Sequence, residues 1–222
     1  MRKYFYGIVA LVLCLASLTG CTEQKETLEG ISTNVLPEGF QDQYASVSQI
    51  VADRGVLAHS KKDLEEVSDL VVVFTPEIQE NKLMYFNDGL VSFGYTKTTG
   101  KVEQVLKGDA AEGDSITISE ECFVTDDAIL HTQGGYLPMK IGESYLLFLV
   151  AYPPESGEYD GMYFPADLEY GKYVLSDTAA PTEAKSPLWN AVYEVNGHTN
   201  LDKYLEWYRY VESLYPEIFH ER

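Results

Sequence analysis

Basic residues are scarce in this chain: 16 Lys and Arg stand against 35 Asp and Glu in 222 residues, a formal net charge of −19. Nucleic-acid binding draws on cationic surface that displaces counterions, so the composition excludes that partner class. It also disfavours direct contact with anionic lipid headgroups. Histidine is rarer still. His59, His131, His198 and His220 are scattered, with no HExxH or other zinc-ligand spacing. No apolar run reaches the ~20 residues that a spanning helix needs, the longest, Tyr4 to Leu18, being about 15. Tryptophan occurs twice and cysteine three times, whereas tyrosine occurs 17 times.

The amino terminus orders its parts tellingly: Met1-Arg2-Lys3, the apolar run, then Leu18-Thr19-Gly20-Cys21. A basic head, a short apolar stretch and small residues before a break read as a secretory signal. The ending resembles the bacterial lipoprotein signal, in which the cysteine thiol is alkylated by lipid and the chain is cut just before it. That resemblance implies a signal peptide over residues 1–20 and lipidation of Cys21 as the first mature residue. Acyl chains anchor by burial, at ~0.8 kcal/mol per CH₂. A lipid with at least two chains would hold the protein at the cell membrane, facing away from the cytoplasm. Residues 1–20 contain two basic residues and no acidic one, so the charge without them is −21. With Cys14 in the signal and Cys21 acylated, Cys122 has no disulfide partner, although the compartment permits disulfides. It reads as a small buried hydrophobe.

Residues 22–43 are polar and acidic, carry Gly and Pro and show no period, so 21–43 reads as a flexible tether before a single domain at 44–222. As a coil it would span roughly 25 Å, beyond the ~8 Å Debye length at physiological salt. The acidic domain is thereby expected to ride clear of the membrane. Within it, Tyr44 to Asp53 reads as a short helix with Val47, Ile50 and Val51 on one side. Lys61 to Val67 reads as a second, with Ser60 as N-cap and Asp63 three residues on.

The pattern then turns to strands. Leu70-Val-Val-Val-Phe74 is a strand buried on both faces and stopped by Thr75-Pro76. Val91 to Leu106 is β-prone with a break near Thr99-Gly100, and Ser115 to Ser119 alternates cleanly. Ser144 to Tyr152 is again apolar throughout, closed by Pro153-Pro154. Two echoes, Glu158-Tyr-Asp-Gly-Met-Tyr163 and Glu169-Tyr-Gly-Lys-Tyr173, read as turns followed by strands in neighbouring hairpin elements. After a Pro/Ala/Ser/Thr connector at 177–187, Leu201, Tyr204, Leu205, Tyr208, Val211, Leu214 and Tyr215 recur at helical spacing. They predict an amphipathic helix over 199–215, capped by Thr199 with Asp202 and ended by Pro216. Two strands apolar on both faces need outside cover, and the terminal helices are available to supply it.

In this order, Ser68-Asp-Leu-Val-Val-Val73, Val102-Glu-Gln-Val-Leu-Lys-Gly-Asp109, Gly113-Asp-Ser-Ile-Thr-Ile118 and Gly142-Glu-Ser-Tyr-Leu-Leu-Phe-Leu149 resemble bacterial lipoproteins. Their core looks like the OB-type barrel of netrin and TIMP-like modules. The resemblance covers residues 64–176 and implies a mainly β (α+β) fold: a small OB-like barrel covered by amino- and carboxyl-terminal helices. TIMP-like modules inhibit metalloproteases through a free amino-terminal cysteine held by disulfides. An acylated Cys21 with no disulfide partner does not transfer that activity.

Three chemistries are open. A hydrolase needs a nucleophile beside a base; Gly113-Asp-Ser115 lacks the second glycine of a nucleophile elbow, and Cys122 with His131 has no evident orienting third group. Calcium is suggested by Ser156-Gly-Glu158-Tyr-Asp160-Gly161, with Asp167 at the twelfth position, an echo of an EF-hand loop whose ligands would be Glu158, Asp160 and Asp167. Tyrosine supplies the third. Tyr136, Tyr159, Tyr163, Tyr170 and Tyr173 fall in late loops and strands, and a ring with a polar tip suits a binding platform on a barrel face. The leading expectation is a non-enzymatic, cofactor-free binding module for a glycan, a peptide or an envelope protein. A calcium-stabilised version and an envelope hydrolase stand behind it.

Overall fold

The computed structural model describes residues 30–35, 46–50, 60–133, 136–175, 194–195, 198–199 and 201–220. In chain order the strands are β1 (Gly30–Val35), β2 (Ser46–Ile50), β3 (Leu70–Tyr85), β4 (Val91–Lys107), β5 (Ser115–Glu120), β6 (Cys122–Val124), β7 (Ile129–Gln133), β8 (Tyr145–Ala151), β9 (Tyr163–Pro165), β10 (Lys172–Val174), β11 (Glu194–Val195) and β12 (His198–Thr199). The α-helices are α1 (Asp63–Val67), α2 (Leu201–Leu214) and α3 (Pro216–His220). The fold is mainly β. A seven-stranded sheet runs β1-β3-β4-β5-β9-β8-β10, with β3 also pairing to β8, and a three-stranded sheet runs β2-β7-β6.

The apolar runs in β3 and β8 explain how the core divides. Successive strand residues point to opposite faces. Leu70, Val72 and Phe74 therefore meet Val102, Ile118, Met139, Tyr145, Leu147 and Leu149 on one side of the sheet. Val71 and Val73 join Leu146 and Phe148 on the other, under Leu64 of α1, Ile218 of α3 and the α2 stripe of Tyr204, Trp207, Tyr208 and Val211. Each such aliphatic or aromatic side chain contributes about 1.5–3 kcal/mol when fully buried. The helical cover expected at both ends is thus present.

Several expectations change. The strand starting at Leu70 does not stop at Pro76 but runs to Tyr85. Pro76 sits where the β3–β4 register shifts, between Pro76 and Ile78, and a bulge is where a strand tolerates the missing N–H. Opposite it lies Gly100, where an added Cβ would stand 2.2 Å from the Thr75 carbonyl oxygen and 2.6 Å from Phe74 Cζ. The break read near Thr99-Gly100 is this close crossing, inside one continuous strand. The bulge also divides an edge of β3: residues 70–74 pair with β8, and residues 80–85 pair with β1.

The helix expected over 44–53 is instead strand β2, parallel to β7. Three apolar residues make a weak helical stripe, and β7 offers a full ladder of partners. Within the segment read as a tether, Gly30–Val35 is not coil but pairs along β3. Helix α1 begins at Asp63 with Lys62 at the N-cap and no side-chain capping bond, so the Ser60 cap does not form. Its far end is closed by Ser68 Oγ donating to Leu64 O at 2.7 Å and by Lys107 Nζ donating to Ser68 O, also at 2.7 Å. Helix α2 ends at Leu214, and Pro216 opens α3, the first-turn place where its missing N–H costs nothing. The signal at 1–20, Cys21, the 177–187 connector and the side chains of Thr199 and Asp202 lie outside the described residues. Among the described residues, no helix is long and apolar enough to cross a membrane.

Candidate functional site

The two tyrosine echoes line up along one edge of β8, β10 against Tyr145–Leu147 and β9 against Leu149–Ala151, while β3 takes the other edge. This does not gather their rings on one surface. Tyr136 and Tyr173 are fully buried and Tyr170 nearly so. Tyr173 OH donates to Tyr170 O at 2.6 Å, and Tyr170 stacks on Trp207 with centroids 4.7 Å apart, so both serve the seam beneath α2. Tyr163 is half-buried against the core cluster on the face opposite α2. Of the five expected platform residues, Tyr159 alone joins a half-exposed aromatic group.

That group was not foreseen as a unit. Tyr159 stacks on Tyr152 at 4.8 Å and leans on Tyr95 at 5.0 Å, and Tyr152 meets Phe164 at 4.8 Å. Buried Tyr95, Met84 and Met162 floor it, and Phe93 adjoins it. The local chain explains the arrangement. After β8 ends at Ala151, residues 152–162 form a loop closed by Tyr152 N–H donating to Met162 O at 3.0 Å. A short 3-10 turn, Gly157–Tyr159, folds the ring back, helped by positive φ at Gly157 and Gly161. Ser119 Oγ and Tyr152 OH are 2.7 Å apart, and Tyr95 OH lies 3.5 Å from Glu158 Oε2 as donor. Burial, followed by the Glu158 charge, pushes the phenols of Tyr95 and Tyr159 well above the usual tyrosine range. Both are neutral hydrogen-bonding tips over any ordinary pH. Tyr95, Tyr152 and Phe164 come from three strands or strand ends, and no local spacing links them.

The calcium expectation is not supported by the geometry. The 156–167 segment is not a loop between two helices but contains strand β9, Glu158 is exposed before it, and Asp167 lies beyond it with its carbonyl accepting from Tyr170 N–H at 2.9 Å. Among the described residues, no three His, Cys, Asp or Glu side chains are grouped to hold a metal ion, so Glu158, Asp160 and Asp167 do not converge. The Cys122–His131 pairing also fails. Cys122 faces Thr132 and Phe123 faces His131 in the β6–β7 ladder, placing the two side chains on opposite faces. His131 stacks on Phe123 at 4.8 Å, while buried Cys122 donates to Thr96 Oγ1 at 3.6 Å. Ser115 is exposed at the start of β5.

A second feature escaped the sequence reading. Glu120 is fully buried, and its carboxylate gathers donors from four directions. Gln79 Nε2 reaches Oε1 at 3.0 Å, joined there by Thr98 Oγ1; Tyr136 OH and Met139 N–H reach Oε2 at 2.9 and 2.7 Å. Lys172 Nζ stands 3.9 Å from Oε2 and 3.8 Å over the Tyr136 ring. Period two in β5 carries Ile116, Ile118 and Glu120 to the same face, so an inward Glu after two inward Ile was the available signal. Sealed from water, this network clamps the 136–140 loop to the sheet, whereas the rings of Tyr152, Tyr159 and Phe164 stay half-exposed.

The chain matches no family model, no curated protein and no solved structure. What the shelf can do rests on its own geometry: flat rings for stacking, hydroxyl tips for hydrogen bonds, and one carboxylate at the rim.

Proposed function

We propose that this chain is a lipid-anchored, extracytoplasmic binding module, held to the membrane through Cys21, with the shelf of Tyr152, Tyr159 and Phe164, backed by buried Tyr95, as its contact surface. Its β domain is a small barrel of OB type. The pairings supporting this run β3–β4, β4–β5, β5–β9, β9–β8 and β8–β3, with β5–β9 the parallel step. Five strands paired in such a circuit suit the Greek-key OB layout, which binds ligands across one face and its loops.

The observation carrying the functional reading is the half-exposed ring stack of Tyr152 and Tyr159. Large amphipathic rings give contact area and polar tips together, which suits a glycan, a peptide or an envelope protein. The test compares binding of purified wall glycan, envelope peptides and envelope proteins to the lipid-free chain and to a Tyr152→Ala/Tyr159→Ala variant. A Leu214→Ala variant controls for a change elsewhere on the surface. Capture by the unaltered chain and the control, lost in the double variant, is the expected result. Equal binding by all three would sink the assignment of the shelf.

A further inference from the structure

We propose that the tip of the β3–β4 hairpin, residues 86–90, rests in the lipid interface of the membrane carrying the protein. The inference builds on acylation of Cys21. In the antiparallel β1–β3 pairing, Gly30 lies opposite Tyr85, the last residue of β3. The first described strand therefore begins beside the hairpin tip. The eight residues from 22 to 29 are all that separates Gly30 from Cys21, and at ~3.3–3.6 Å per residue they reach at most about 30 Å. The other end of β3 is much farther away. Its 16 residues rise ~3.3 Å each, so Leu70 stands some ~50 Å along the strand, less what the bulges bend away. An anchor at Cys21 thus makes the tip the end of the molecule nearest the membrane.

The tip has the chemistry for that place. Leu90 is 65 % exposed, the most exposed large hydrophobic residue among those described, and the half-buried Tyr85 and Phe86 adjoin it. The turn is built to hold Leu90 out. Phe86 N–H donates to Leu90 O at 2.8 Å, Gly89 N–H to Phe86 O at 2.9 Å, and Leu90 N–H to Asp88 Oδ1 at 3.0 Å. Asp88 is the one charge in residues 86–90, and its carboxylate is engaged by that N–H. The nearest lysines on the hairpin, Lys82 and Lys97, are paired with Glu80. A lone leucine would not recruit a protein from solution, but a short tether raises the effective concentration of the surface and lets a weak apolar contact persist. Residues 22–29 then act as a short leash that sets orientation, in place of a long spacer holding the domain clear.

The test uses the full acylated chain, its Cys21 modification verified by intact mass, in zwitterionic phosphatidylcholine vesicles. Leu90→Cys is labelled with an environment-sensitive dye; acylated Cys21 and buried Cys122 leave that thiol as the reactive one. Leu214→Cys is the control. Leu214 is 44 % exposed and precedes Tyr215, whose ring meets Phe148 opposite Val71, at the far end of β3. The expected result is a blue-shifted emission at position 90, quenched by lipid-borne quenchers, with position 214 unaffected. An acylated chain whose position-90 dye stays as water-exposed as the position-214 dye overturns the tip contact alone. A bare thiol at Cys21 overturns the anchored reading and this proposal together.

Discussion

Glu120 and Lys172 face each other in the interior, the carboxylate Oε2 3.9 Å from Nζ, with side chains 0 % and 9 % exposed. Removing one member of a buried pair strands the other charge, at a cost of about 3–5 kcal/mol. Lys172→Met should therefore lower stability by about that amount. Adding Glu120→Gln to it should cost less than the two single changes summed. Urea unfolding of the four proteins decides this. A neutral Lys172→Met would mean that the four hydrogen-bond donors alone hold Glu120.

Gly100 marks the tightest crossing in the sheet. A Cβ there would collide with the Thr75 oxygen, Phe74 Cζ and Pro76 Cα, all within 2.8 Å, and two of these are backbone atoms that cannot swing away. Gly100→Ala should cost about 3 kcal/mol or more, the severe end of overpacking. Gly142 has open space around it and needs only its positive φ of 81°. Gly142→Ala should cost about 1–2 kcal/mol. Thermal melts that rank the two variants the other way would refute this account of the bulge.

Alkali should loosen the helical cover. Burial, with Glu212 adding to it, raises Tyr208 to about 12, and burial with Glu65 raises Tyr215 to about 12. Above the ordinary value of 10.0 the unfolded chain releases these protons first. The folded state then binds more protons, and stability falls as pH rises. The contribution is fully present below pH 10 and disappears on the climb toward 12. Unfolding midpoints across this range should drop, and Tyr208→Phe should flatten the slope. Phenolate absorbance that appears without any loss of fold would count against it.

Cys122 should behave as a reporter of global opening. Burial, followed by the Glu120 charge, pushes its thiol well above the usual cysteine range, and the thiolate is the reactive form. An alkylating reagent should leave the native protein unmodified at this position and label it completely in denaturant. Rapid labelling under native conditions would show that the β6–β7 sheet opens locally.

What the sequence disclosed was what repeats with a period. The double-sided apolar runs from Leu70 and Tyr145 predicted where helices must cover the sheet, and the stripe from Tyr204 to Val211 predicted which helix does so. Contacts made at a distance were illegible. Pro76 reads as a stop until Gly100 is seen lying against it. Ser46–Ile50 reads as a weak helix until β7 supplies its ladder. The tyrosine count suggested an aromatic platform, but most of the residues chosen for it are interior. Tyr136, Tyr170 and Tyr173 are spent on the interior, whereas half-exposed Tyr152 and Tyr159 stack over buried Tyr95 through pairings between strands far apart in the chain.

β3 acquires β8 and its helical roof late. Synthesis delivers Val71 and Val73 long before β8 and lastly α2 arrive to flank and roof them. Non-local pairing of this kind is slow and leaves sticky edges bare meanwhile. A nascent chain halted before Tyr204 would thus present a half-built, aggregation-prone sheet, and successful assembly must wait for nearly the last residues to be made.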